Sequence, residues 1–317
     1  MTDAGAVQGA ADRIRANIER VLVGKREVVD LAVLAVLCEG HLLIEDVPGI
    51  GKTMLAKTLA RSLGCQFRRL QCTPDLLPTD VTGMHFFNQK TQEFEFRAGP
   101  VFTNILLADE INRATPRTQA ALLECMEERQ VTLETGTLSL GKPFMVIATQ
   151  NPIELQGTFP LPEAQLDRFL LQLPVGYPGE ADEVEILHRF RSDNPLDDLG
   201  AVTGADEVVA MQRAVRGVHV SPAVEGYIVD LVRATRAHPE IDLGASPRGS
   251  LGLYRTSQAL AAIHGRGHVL PDDVKAMVPY VLPHRMMTTS QARLRERGAR
   301  EIAVEILRSV PAPVEAE

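Results

Sequence analysis

Residues 41–63 constrain this chain more than any other stretch. His41-Leu42-Leu43-Ile44-Glu45 reads as a buried strand, Asp46-Val47-Pro48-Gly49-Ile50-Gly51-Lys52-Thr53 as a Gly-rich loop, and Met54 to Leu63 as a helix. Strand, glycine loop and helix in that order are the setting a phosphate-binding P-loop requires. Gly49 and Gly51 let the backbone approach phosphate oxygens, and the helix N-terminus adds positive potential. On that reading Gly49, Ile50, Gly51, Lys52, Thr53 and Met54 surround the phosphates. The Lys52 ammonium reaches the β- and γ-phosphates, and the Thr53 hydroxyl ligates Mg²⁺. The pattern G-x-x-x-x-G-K-[ST] asks for Gly where this chain has Asp46. Asp tolerates left-handed backbone better than most residues, so the loop survives the change. Taken alone, the string also fits a glycine turn that merely joins strand to helix.

A P-loop needs an α/β sheet around it, and the chain supplies one. Helical stretches alternate with short apolar runs from Asp12 to about Leu173. His41 to Ile44, Gln66 to Gln71, Asn104 to Ala108, Pro143 to Thr149 and Phe169 to Leu173 predict a five-stranded, mostly parallel sheet. Ile14, Ile18, Val21 and Leu22 form one face of a first helix. The string Leu173-Pro174-Val175-Gly176-Tyr177-Pro178-Gly179 reads as a linker, and the periodicity beyond it is helical. Ser221-Pro222, Ser246-Pro247 and Pro271-Asp272-Asp273 mark helix starts. The expected division is an ATPase-type core with N-terminal helices over 1–178, a helical domain over 179–309 and a mobile tail over 310–317.

Composition removes several classes. With 45% hydrophobic and 23% charged residues, the 317-residue chain is neither disordered nor fibrous. The net charge of −8 argues against a surface built to hold nucleic acid or anionic lipid. Cys38, Cys65, Cys72 and Cys125 form no CxxC pair and predict buried free thiols in a reducing compartment. The longest apolar run, Leu31 to Cys38, is far short of the ~20 residues a membrane span needs. A cytoplasmic location is expected.

Asn104-Ile105-Leu106-Leu107-Ala108-Asp109-Glu110 is an apolar strand ending in two acids. Asp109 there suits a Mg²⁺ ligand and Glu110 the base that activates an attacking water. An acidic helix N-cap is the competing local reading. Asn151, after a further buried strand, is placed to orient that water, or is simply a turn residue before Pro152.

The order of P-loop, Asp109-Glu110, Asn151, Leu166-Asp167-Arg168-Phe169 and Ser246-Pro247-Arg248 resembles an AAA+ ATPase. Three longer strings resemble the MoxR family within it: Pro74-Asp75-Leu76-Leu77-Pro78-Thr79-Asp80-Val81-Thr82-Gly83, Ala108-Asp109-Glu110-Ile111-Asn112-Arg113-Ala114, and Leu161-Pro162-Glu163-Ala164-Gln165-Leu166-Asp167-Arg168-Phe169. The likeness runs from about Ile14 to Leu307. It implies a P-loop AAA+ domain with inserted β-hairpins followed by an all-α lid, with ATP and Mg²⁺ as cofactors. It also implies Asn151 as sensor 1, Arg168 as an arginine finger offered to a neighbouring subunit, Arg248 as sensor 2 on the lid, and Val23-Gly24 near the adenine. Arg suits both arginine roles because its charge is permanent and its fork fits phosphate oxygens. Ion pairing with Asp167 or Glu163 is the alternative for Arg168, and a helix-surface charge for Arg248. A site completed in trans implies a homo-oligomeric ring, a hexamer, and the family implies a protein client, with von Willebrand factor A-domain proteins as frequent partners.

Two segments read as inserted hairpins, Val81 to Val101 and Val131 to Lys142. Four of the ten Phe, at 86, 87, 94 and 96, fall in the first. Apolar groups usually pack inward, and outward exposure would mark a protein-contact patch. Lys90 and Arg97 are offset by Glu93 and Glu95, and Lys142 by Glu134, which disfavours a hairpin that tracks DNA. Protein remodelling or maturation is the leading function. A motor subunit like those of the magnesium chelatases and a nucleotide-gated scaffold with little turnover are the alternatives.

Overall fold

The computed structural model describes residues 4–47, 49–133, 136–151, 157–191 and 194–313. In chain order the helices are α1 (Ala4–Glu19), α2 (Arg26–Leu37), α3 (Lys52–Ser62), α4 (Pro78–Thr82), α5 (Pro116–Glu128), α6 (Glu163–Leu166) and α7 (Glu180–Arg189), then α8 (Ala205–Arg216), α9 (Pro222–Ala237), α10 (Pro247–Ile263), α11 (Pro271–Val281), α12 (Ser290–Leu294) and α13 (Ala299–Ser309). The strands are β1 (Leu42–Glu45), β2 (Phe67–Gln71), β3 (Gly83–Asn88), β4 (Glu93–Ala98), β5 (Ile105–Asp109), β6 (Gln130–Leu133), β7 (Gly136–Ser139), β8 (Met145–Gln150), β9 (Leu171–Leu173), β10 (Ile241–Leu243) and β11 (Met287–Thr288).

Five strands form the central sheet in the order β2-β5-β8-β1-β9. Every neighbouring pair in it is parallel. A parallel sheet is covered on both faces, which is why its central strands are apolar runs rather than alternations. The two faces nevertheless separate with period two. Leu42, Ile44, Ile105, Leu107, Met145 and Ile147 join a cluster with α1, α2, α3 and the later helices. Leu43, Leu106, Ala108, Val146 and Ala148 join another with α5, Phe144 and Phe169. The strands begin one or two residues later than the sequence predicts. His41, Phe144 and Phe169 are buried just before their strands, and burial pattern alone cannot separate such residues from the strand itself.

The first helix starts at Ala4, earlier than its periodicity signals, and ends at Glu19, so Val21 and Leu22 lie buried just past its end. Both α1 and α2 pack on α10 and α8 as well as on each other. The predicted caps form: Ser221 accepts from the Val224 N–H, Ser246 from the Arg248 N–H, and Asp273 from the Leu270 N–H. The helical half also carries a short antiparallel β10–β11 pair, too brief to leave a period in the sequence. Val310 and Ala312 pack partly against the core. The remainder of the expected tail, 314–317, lies outside the described residues.

Both expected hairpins form, as β3–β4 and β6–β7. The Phe residues of the first do not sink beneath it: Phe86, Phe87 and Phe94 are 40%, 50% and 73% exposed. Only Phe96 packs inward, edge-on to Phe102 at 5.5 Å. Among the described residues no helix is long and apolar enough to cross a membrane.

Candidate functional site

The Gly-rich loop leaves the C-terminal end of β1 and opens α3. Gly49 and Gly51 adopt φ of +87° and +93°, a region where a side chain is strained. Around Gly49 there is open space where a Cβ would stand, so ligand oxygens can approach its backbone. Because β1, β5 and β8 run parallel, their C-terminal ends share one edge of the sheet. A cavity of about 400 Å³ opens there, lined by Gly49, Gly51, Lys52, Thr53, Met54, Arg69, Asp109, Glu110, Thr149 and Asn151. Burial draws the Lys52 ammonium below its usual pKa, while Asp46, Asp109 and Glu110 oppose that shift.

The two acids are held rigidly. Asp109 accepts a hydrogen bond from the Thr149 hydroxyl at 2.7 Å and forms an ion pair with Arg69 at 2.6 Å. The Thr149 oxygen in turn accepts from the Glu110 N–H at 2.8 Å. Glu110 receives Gln71 at 2.9 Å and Arg113 at 3.1 Å. Its backbone is left-handed, φ 56° and ψ 52°, costly for a non-glycine residue and typical of reactive positions. A hydroxyl, a carboxylate and an ammonium beside the open face of Gly49 fit what a Mg²⁺–nucleotide needs.

The opposite end of the same sheet has inverse chemistry. Arg168 precedes β9, and Leu170 donates its N–H to the His41 carbonyl just before β1, so this region lies at the N-terminal end of the strands. A second cavity of about 310 Å³ there is lined by Arg129, Arg168, Arg248, Arg255 and Arg285, with Glu39, Glu127 and Asp167. Glu127 bridges two of them, meeting Arg168 at 3.5 Å and Arg248 at 2.6 Å. Asp167 does not pair with Arg168, as local spacing had allowed. It takes Arg285 at 2.8 Å and the Ser246 hydroxyl at 2.8 Å. Burial lowers the Arg285 pKa to about 10 despite Asp167 beside it, and Arg248 adds to the lowering.

Residues 41–171 match the ATPase family associated with various cellular activities (AAA), and residues 233–306 match the AAA lid domain. Chaperone MoxR1 of Mycobacterium tuberculosis is 40% identical over 306 residues, covering 94% of this chain and 81% of that protein. The chain belongs to the MoxR family of AAA+ ATPases. The uncharacterized protein YeaC of Bacillus subtilis is 49% identical over 299 residues, 94% of this chain and 93% of its own. A crystal structure from Cytophaga hutchinsonii, described as a candidate ATPase, superposes with a TM-score of 0.92 at 36% identity, covering 98% of this chain and 97% of that one.

Within this MoxR-family fold, the structure gathers Gly49, Gly51, Lys52, Thr53, Met54, Asp109, Glu110 and Asn151 at one cavity. Ile50 instead turns into the core. Val23 and Gly24 do not line that cavity. The preceding residue is nearer the loop: a Cβ added at Gly51 would meet the Leu22 side chain at 3.4 Å. Arg168 and Arg248 are brought together, but at the far end of the sheet. Arg248, on α10, therefore sits with Arg168 and Glu127 rather than with Lys52. Its helix, α10, packs beside the N-terminal end of β1, not over the C-terminal end.

Sequence reasoning missed Thr149, Arg69, Gln71 and Glu127. Thr149 had a signal, a hydroxyl closing an otherwise apolar buried strand. Arg69 and Gln71 had none, because β2 is an edge strand whose outward residues look like ordinary surface. Glu127 is one of several acids on α5, and only tertiary packing singles it out.

Proposed function

We propose that this chain is a Mg²⁺-dependent ATPase that works as a homo-oligomeric ring, a hexamer, and uses ATP turnover to remodel or mature other proteins. The observation carrying this reading is the separation of the two ends of the sheet. β1 has four residues, about 13 Å at ~3.3 Å per residue, so Arg168 and Arg248 are too far from their own P-loop to serve it. A second copy, offering its arginine end to this chain's cavity, supplies the missing cations.

At such a joint each residue has a task. Loop amides and Lys52 would hold the phosphates, and Thr53 and Asp109 would hold Mg²⁺, which would supply charge neutralisation there. Thr149 fixes Asp109 and the Glu110 backbone, and Asn151 orients the water. Glu110 accepts its proton, once Gln71 and Arg113 yield. Arg168 and Arg248 of the neighbour stabilise negative charge on the transferring group. Val23-Gly24 belong on the adenine side. The ATPase half ends and the lid half begins in the 174–179 linker.

Protein, rather than nucleic acid, is the favoured client. The β3–β4 hairpin exposes Met84, Phe86, Phe87 and Phe94 between offsetting charges, a combination that suits apolar protein surface. A von Willebrand factor A-domain protein is the family-based expectation; the Mycobacterium relative's name, a chaperone, supports only a protein client in general. Four free cysteines without a disulfide accord with a reducing cytoplasm. The test of the shared site mixes Lys52→Ala with Arg168→Ala chains, each inactive alone. Recovery of ATPase activity supports the reading; no recovery in confirmed mixed assemblies refutes it. Capture on Glu110→Gln held in ATP identifies the client, and enrichment of DNA alone would overturn the protein assignment.

A further inference from the structure

Asp46, the residue that departs from the P-loop pattern, is a hub with three separate connections. Its backbone N–H donates to Gln150, next to Asn151, at 3.2 Å. Its backbone carbonyl accepts from the Lys52 ammonium at 2.5 Å. Its carboxylate reaches out of the loop altogether: one oxygen accepts from the Val47 N–H at 2.7 Å, the other from Val175 at 2.7 Å and Gly176 at 2.5 Å. Val175 and Gly176 belong to the linker that joins β9 to α7. From the other side, Lys25 donates to the carbonyls of Gly176 at 3.0 Å and Tyr177 at 2.8 Å. The first turn of α7 then presses on the α1–α2 loop, where a Cβ at Gly24 would stand 2.1 Å from an Asp182 oxygen.

A negative side chain beside a phosphate site is unfavourable unless it is fully engaged. Glycine, which the pattern asks for, would avoid that cost and leave two linker N–H groups without this acceptor. The price of the acid is therefore explained by what it holds. We propose that Asp46 is a positioning residue that ties the phosphate-binding loop to the 174–179 linker, so that occupancy of the loop is transmitted to α7 and the helical half. Phosphates that draw Lys52 away from the Asp46 carbonyl change the loop conformation that also sets the linker amides. This inference rests on the ATPase reading above.

The test uses the full chain as wild type, Asp46→Gly, Asp46→Asn and Lys25→Met. Binding of a fluorescent ATP analogue, kcat and KM, and hydrogen exchange at Val175 and Gly176 are measured with and without Mg²⁺–ATP. In the wild type, nucleotide alters exchange at these two amides. In Asp46→Gly, exchange there rises about tenfold without nucleotide and no longer responds to it. Nucleotide still binds within about threefold of wild type, and kcat falls about tenfold with KM little changed. Asp46→Asn, which keeps one acceptor oxygen, falls between. Should Asp46→Gly fail to fold, Asp46→Asn and Lys25→Met report on the same clamp. A nucleotide response at Val175 and Gly176 that keeps its wild-type size in the variants, or an unchanged kcat, overturns the proposal. A wild type that neither binds nor hydrolyses ATP overturns instead the ATPase reading on which it rests.

Discussion

At the C-terminal end of the central sheet, backbone N–H donors, Lys52 and two carboxylates surround one cavity; at the N-terminal end, five arginines and three acids surround another. The first end has the parts to hold a nucleotide and a water. The second has five arginines, whose charge is permanent. The separation follows from topology, because in a parallel sheet every loop after a strand opens on one side and every loop before a strand on the other. An arginine placed before β9 is kept from its own P-loop and pairs with Glu127 instead.

That contrast can be broken experimentally. The largest effect is expected from Arg168→Ala, which should lower kcat by roughly 10³-fold or more while nucleotide affinity of the isolated chain stays unchanged. Loss of binding in the isolated chain would mean that the two ends are one site. Glu110→Gln should lower kcat by about 10²–10⁴-fold with ATP still bound; near-normal turnover would move the base elsewhere. Asp167→Ala sharpens the comparison from the arginine end. Arg285 has a side chain only 3% exposed, so removing its carboxylate partner should destabilise the fold by about 3–5 kcal/mol. Denaturant melts read the change, and nucleotide binding at the folded C-terminal end should persist.

The smallest effect concerns His41, which ties β1 to β8 and α5 at the arginine end. Its Nδ1 accepts from the Val146 N–H at 2.9 Å and its Nε2 donates to the Met126 carbonyl at 3.1 Å. Those contacts fit the neutral ring, and burial, helped by Arg129, lowers its pKa from 6.5 to about 3. Between these values the unfolded chain binds the extra proton and the folded chain does not. Stability is therefore retained above about pH 6.5 and lost as pH falls toward 3, by up to about 1.4 kcal/mol per unit. His41→Gln should flatten that slope in melts at successive pH values. An unchanged slope would assign the acid sensitivity to other groups, including the buried His284, whose pKa is also well below normal.

Legibility followed locality. The P-loop, the two acids after β5 and the helix caps were readable because each is a contiguous string whose residue types serve one purpose. The hairpin around the four Phe was readable as a hairpin, but its exposure was not: alternation tells which residues share a face, not whether anything covers that face. Pairings were less legible still. Arg168 had nearer acids in sequence, yet Glu127 reaches it from α5, while Asp167 is taken by Arg285 from 118 positions away.

By itself, then, the sequence determined a phosphate-binding loop in an α/β core, because glycines, lysine and paired acids at fixed local spacing are dictated by phosphate and metal chemistry, and its longer strings carried the likeness to the MoxR family. Tertiary structure alone decided which end of the sheet each charge occupies, that three of the four hairpin Phe stay exposed while Phe96 packs inward, and that the Asp46 carboxylate reaches the linker. These depend on contacts between segments far apart in the chain, where strand direction and packing, and no local pattern, choose the partner.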